Sequence, residues 1–274
     1  MDRRLTPANG RVAAAHLAGR VKAEVFVEGW QRRVIWPVAD LCRGPGGARD
    51  RQVLMGQAVT VFEDRDGWAF VQAERDGYVG YVESAALGER PAPTHWVAVP
   101  AGHVYGAPDM KSPVLSELVF GDTMTCVAHM PRFHETARGG FIAKPHLWPL
   151  EKRFKDPVTV AQLHFGVPYL WGGNSVRGID CSGLVQAAFQ ACGVDCPGDS
   201  DMQEAALGTA FGDNVALQRG DLLFWKGHVG LMVDGETLIH ANAHHMAVAY
   251  EPVAKAILRI EAQGDGPVIS RKRV

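Results

Sequence analysis

The sequence predicts an α+β protein in which two small β-barrel modules precede a larger domain made of a helix and an antiparallel sheet. Three observations carry that reading. A pattern of short alternating strands occurs twice in the first half of the chain, the texture changes after Leu150, and beyond it a helical apolar period gives way to alternating, partly β-branched runs. At 274 residues the chain is long enough for two or three domains.

The repeat defines the first modules. Both copies open on a Gly/Pro loop, continue with "QVL" or "PVL", and reach a glycine, Gly56 or Gly121. An alternating run follows, "AVTVFE" or "TMTCVA", and each copy closes on Gly77-Tyr78 or Gly140-Phe141 and a last strand. The spacing of about 62 residues is too long for a solenoid unit and suits tandem small barrels. The expected organisation is an N-terminal arm over 1–33, helical or extended, then barrels over 34–90 and 91–150, with "PAPTH" at 91–95 as linker, and a third domain over 151–274.

In the third domain, "DPVTVAQLHFG" has Pro157 at its start and Gly166 at its end, as a short helix requires. A second helix is expected over 181–192, from the apolar positions Leu184, Val185, Ala188, Phe189 and Cys192. The stretch from Asp221 to Val253 reads as antiparallel strands with a turn at Asp234-Gly235, and Asp221 as a turn residue. The closing "SRKRV" is expected to be a solvated end.

Composition narrows the function. Lys plus Arg number 28 against 30 Asp plus Glu, so no charge surplus points to nucleic acid or an anionic membrane. No apolar run approaches the roughly 20 residues that span a bilayer. The N-terminal alanine patch is broken by His16 and Arg20 and falls short of the about 7–15 apolar residues of a secretory core. A cytoplasmic protein is expected, as a monomer. Five cysteines, irregularly spaced, argue for free thiols rather than a disulfide framework. No cofactor or metal is expected; His244 and His245 read as exposed turn or strand residues, because no Cys, Asp or Glu stands near them at ligand spacing.

Cys181 stands where the second helical period begins, and a helix N-terminus favours a thiolate. His228, in "GHVG", offers a base. His240, in "TLIHAN", lies beyond the hairpin turn and can neighbour it across strands. Cys, His and a polar third residue form a nucleophile–base–orienter set. The glycines of "WGG", "DCSG" and "GHVG" read as room for a substrate backbone.

"YLWGGNSVRGIDCSGLVQAAF", "RGDLLFWKGHVGLMV" and "TLIHANA" together resemble the NlpC/P60 cysteine peptidases, and "DGWAFVQ…DGYVGYV" resembles a bacterial SH3 domain. The second copy keeps that frame without the Trp and the tyrosines. The resemblance implies a papain-like catalytic domain with Cys181 as nucleophile, His228 as general base and acid, His240 as the orienting residue and Tyr169 near the oxyanion site. "CPGDSDMQ" at 196–203 is also similar, with Gly198 where the family often has Arg.

The two preceding SH3 modules make the layout similar to γ-D-glutamyl-L-diamino acid endopeptidases of that family. The resemblance then implies free murein tri- and tetrapeptides as partners, L-Ala-γ-D-Glu-diamino acid with meso-diaminopimelate as the common diamino acid, in cell-wall peptide recycling. Asp180, Ser182 and Trp171 would line the pocket for the unblocked N-terminal L-Ala. Tyr78 of the first SH3 module would cap it, with Tyr81 the alternative. A cationic amine entering a partly buried pocket needs such a carboxylate and hydroxyl partners. Two other readings stay open: an exported hydrolase acting on glycan-attached stem peptides, and a non-catalytic wall-peptide binder.

Overall fold

The computed structural model describes all 274 residues, which fall into two compact units, Met1–Leu150 and Glu151–Val274. In the first unit a seven-stranded sheet has the spatial order 49–54, 38–42, 79–83, 68–73, 58–65, 30–34 and 87–88. Its central hairpin turns at Asp66-Gly67, both at positive φ, the conformation a two-residue hairpin loop demands. Alternation along these strands buries Val59, Val61, Ala69, Val71 and Ala73.

The arm is extended rather than helical, apart from one turn at Ala15–Leu17. Val12–Ala14 and Val25–Val27 pair in parallel, while Ala14 and Leu17 pack on Phe62, Phe70 and Val79. Trp30–Val34 pairs with the 58–65 strand, so the sheet takes in residues that the sequence reading placed in the arm.

The rest of this unit holds a five-stranded sheet, ordered 114–119, 101–105, 141–143, 133–136 and 126–129, and a three-stranded sheet, ordered 123–124, 95–97 and 147–149. Their core is small: Val97, Leu118, Met124, Ile142 and Leu147, with Met55 reaching in from the first sheet. The buried Asp122 carboxylate accepts from Met55 N–H and Val119 N–H, which satisfies two buried backbone donors.

The second unit has four helices: α1 Pro157–Gln162, α2 Cys181–Ala191, α3 Ser200–Ala206 and α4 Val253–Ala262. Asp156 caps α1 by accepting from Val158 N–H at 3.0 Å, and Gly166 beyond it has φ +80. A six-stranded antiparallel sheet runs in the order 209–210, 270–273, 222–225, 228–232, 237–242 and 247–252. Leu223, Trp225, Met232 and Leu238 pack on Ala256 and Ile260 of α4. Leu222 and Phe224, on the alternate positions, are equally buried, so the sheet is covered on both faces.

The tail departs from expectation. Ser270–Arg273 pairs with Leu222–Phe224, and the Arg273 guanidinium grips the fully buried Asp221 through two contacts of 2.7 Å. Its last arginine answers a buried carboxylate that a reading of the tail alone does not reveal. Asp221 also accepts from Gln218 N–H, the turn role assigned to it. All five cysteines are free. No helix is long and apolar enough to cross a membrane.

Candidate active site

The first turn of α2 is built by Asp180. Its backbone is extended and its carboxylate accepts from Gly183 N–H at 2.6 Å, from the Ser182 hydroxyl at 3.1 Å and from Gly172 N–H at 2.9 Å. Asp180 is thus the N-cap, and it also ties the Trp171-Gly172-Gly173 loop to the helix. The acid next to the thiol is anchored on main-chain donors and aimed back into the helix start. Cys181, the first helical residue, is buried, and its Sγ lies 4.0 Å from the carbonyl oxygen of Gly227, the residue before His228.

His228 and His240 meet across the hairpin. His228 Nε2 stands 2.9 Å from His240 Nδ1, and His240 Nε2 stands 3.1 Å from a Glu251 carboxylate oxygen. The Arg259 guanidinium of α4 contacts both oxygens of Glu251, at 2.9 and 2.7 Å. Four residues from three strands and a helix therefore form one line. Arg259 and the bond from His240 hold the Glu251 carboxyl well below the usual carboxylate range. Burial pushes His228 down to about 3 and lowers His240 as well, so both rings are neutral near pH 7.

The proton positions follow. An ionised carboxylate only accepts, so His240 Nε2 is the donor and its Nδ1 is bare. Bare Nδ1 accepts from His228 Nε2–H, which leaves His228 Nδ1 unprotonated as the base. Glu251 thereby selects the tautomer of a ring two bonds away. Neither Glu251 nor Arg259 was singled out in the sequence. They stand 11 and 19 residues beyond His240, in no local motif; the one signal is an acid inside the apolar "AVAYEPV" strand.

Tyr169 is half-buried and bridges in parallel to Ile179, one residue before Asp180. Burial raises its phenol first, and the negative charges of Cys181 and Asp180 add to the shift. Trp171 is 69% exposed at the loop that Asp180 holds. Ser182 is buried, its hydroxyl on Asp180 and its carbonyl accepting from the buried Gln203 of α3 at 2.8 Å. Tyr78 and Tyr81 belong to the first unit; Tyr78 is buried, and Tyr81 packs at a tilt against Phe70 with centroids 5.0 Å apart.

The glycines serve packing more than substrate. A Cβ on Gly183 would lie 2.4 Å from Gly173 O, one on Gly173 would lie 2.4 Å from Gly178 O, and one on Gly230 would strike Leu238 at 2.7 Å. These residues let the loop, the helix and the strands approach one another. Gly227 is the exception, with φ +77 and open space around it. Among the other histidines, His244 and His245 are exposed, but the fold carries Glu251 to within ligand distance of His240 and His245, a juxtaposition that sequence spacing hides.

Residues 166–261 match the NlpC/P60 family, and residues 41–87 match the bacterial dipeptidyl-peptidase SH3 domain. The chain thus carries an NlpC/P60 domain preceded by a bacterial dipeptidyl-peptidase SH3 domain. A γ-D-glutamyl-L-lysine dipeptidyl-peptidase of Bacillus subtilis is 29% identical over 217 residues, 69% of this chain and 71% of that one. A protein of the same name from Bacillus cereus is 26% identical over 241 residues, 74% of this chain and 70% of the other. A crystal structure of an NlpC/P60 family protein from Bacillus cereus superposes with a TM-score of 0.74 at 19% identity, covering 89% of this chain and 99% of that one. The fold is therefore the NlpC/P60 fold behind an SH3-like β-rich region, and the protein is a peptidase.

Proposed function

We propose that the chain is a cysteine endopeptidase that cuts free murein tri- and tetrapeptides between γ-D-Glu and the diamino acid, releasing L-Ala-γ-D-Glu in cytoplasmic cell-wall peptide recycling. The observation that carries the reading is the line from Glu251 through His240 to His228, ending on an unprotonated nitrogen in the part of the fold that holds Cys181. His228 Nδ1 takes the thiol proton, and the Cys181 sulfur attacks the γ-carbonyl carbon of D-Glu. The oxyanion is met by the Cys181 N–H, at the positive end of α2, and by the Tyr169 hydroxyl. His228 then gives its proton to the leaving amine of the diamino acid. A water, deprotonated by the same nitrogen, opens the thioester and frees the dipeptide.

Asp180 supplies negative charge for the substrate's N-terminal ammonium, with Ser182 and Trp171 beside it. The two relatives named above carry lysine in their names as the diamino acid. Both L-lysine and meso-diaminopimelate peptides therefore belong in the test.

The test compares L-Ala-γ-D-Glu-diamino acid tripeptides, their N-acetylated forms and intact sacculus. Rapid release of L-Ala-γ-D-Glu from the free peptide, with little from the other two, is the expected result. Equal cleavage of sacculus would replace this reading with that of a remodelling hydrolase.

A further inference from the structure

His95, His129 and His134 lie far from the peptidase site in sequence and belong to the first unit. The NlpC/P60 reaction uses none of them. One ring nitrogen of each falls within a 4.8 Å circle of the others. His129 and His134 are directly opposite on adjacent strands, and their Nδ1 atoms face each other at 2.7 Å. His95 comes from the three-stranded sheet, its ring 4.9 Å from that of His134 and 5.7 Å from that of His129. Thr94 Oγ1 lies 2.8 Å from His95 Nδ1 and also accepts from Cys126 N–H. A hydroxyl so fixed orients an imidazole that ligates through its other nitrogen.

We propose that these three histidines bind a divalent transition-metal ion of the zinc class, which clasps the two small sheets of the second SH3-like module together. Three converging imidazoles suit Zn²⁺, Ni²⁺ or Cu²⁺ rather than hard cations such as Mg²⁺ or Ca²⁺. Zinc–nitrogen bonds of about 2.0–2.1 Å put neighbouring ligand nitrogens about 3.3 Å apart in a tetrahedron, so His129 and His134 need only a small opening and His95 a side-chain adjustment. His95 and His134 are largely buried while His129 is exposed, which gives the ion an entry path and a fourth position for water. The module has a motive for such a clasp, since its core rests on a handful of side chains.

The other group of this kind, His240, His245 and Glu251, is a poorer host. Arg259 already occupies both oxygens of Glu251 and places a fixed positive charge against any ion there.

The test is Zn²⁺ binding to the full-length chain carrying Cys181→Ala, which removes a competing thiol, with Co²⁺ as a visible-absorbing stand-in. One ion per chain is expected. His129→Gln, at an exposed position, should weaken binding at least tenfold and remove the Co²⁺ band, while His245→Gln leaves both unchanged. Bound Zn²⁺ should raise the thermal midpoint of the parent but not of His129→Gln. With Cys181 restored, His129→Gln should keep full peptidase turnover. Absence of a saturable ion, or binding that follows His245 instead of His129, would overturn the proposal.

Discussion

His240 carries two hydrogen bonds that run in one direction, from a carboxylate that only accepts toward a ring that must be left as a base. This direction depends on Glu251 being ionised, and Arg259 keeps it so. Glu251→Gln removes that certainty: an amide can donate to His240 as readily as it accepts, so the relay reverses in part of the population. A positioned base is worth about 10²–10⁴ in rate, and kcat should fall roughly 10–100-fold in Glu251→Gln with KM little changed. Steady-state kinetics on the tripeptide checks this, and an unchanged kcat would detach Glu251 from the reaction. The motif residues Cys181, His228 and His240 were legible because each stands among signature neighbours. Glu251 and Arg259 were not, because only strand pairing and the packing of α4 bring them to His240.

The start of α2 shows what an element asks of its residues. Asp180 was legible as a neighbour of the thiol, yet its bonds to Gly172, Ser182 and Gly183 are properties of a folded turn. Asp180→Ala should cost about 1 kcal/mol for the lost cap, plus about 1–3 kcal/mol for the buried donors it strands. Denaturant titration should therefore show a clearly lowered midpoint, whereas wild-type stability would deny the capping role. Asp180→Asn keeps the shape and an acceptor oxygen, so it separates cap from charge: the fold should persist while preference for a free N-terminus declines. Gly183→Ala should be more damaging than either, because the new Cβ meets backbone rather than a movable side chain. The helix bounds were readable from apolar period and capping chemistry. The glycines were read as substrate clearance because sequence cannot say which backbone passes nearby.

At the scale of the molecule, the repeat and the change of texture after Leu150 foretold an α+β chain with a β-rich first half. Strand membership was harder to read, as Trp30–Val34 and the basic tail both join sheets through partners distant in sequence. Acid should loosen the second unit in a defined direction. His228 and His240 are held below their usual value of 6.5, so unfolding lets each take up a proton. The stability this provides is fully present above pH 6.5 and is lost as pH falls toward about 3, the value for His228. Depression of Glu251 acts in the same direction at lower pH. Hydrogen exchange of the 228–232 and 237–242 strands should accelerate over that window, and His228→Gln should flatten the dependence.

The proposed chemistry turns on Cys181 as the nucleophile of γ-D-glutamyl bond cleavage. Mass analysis of L-Ala-γ-D-Glu-diamino acid incubated with the wild-type chain and with Cys181→Ala tests it most directly. L-Ala-γ-D-Glu and free diamino acid are expected from the first and intact peptide from the second. Turnover that survives Cys181→Ala, or cleavage at the L-Ala bond instead, would contradict it.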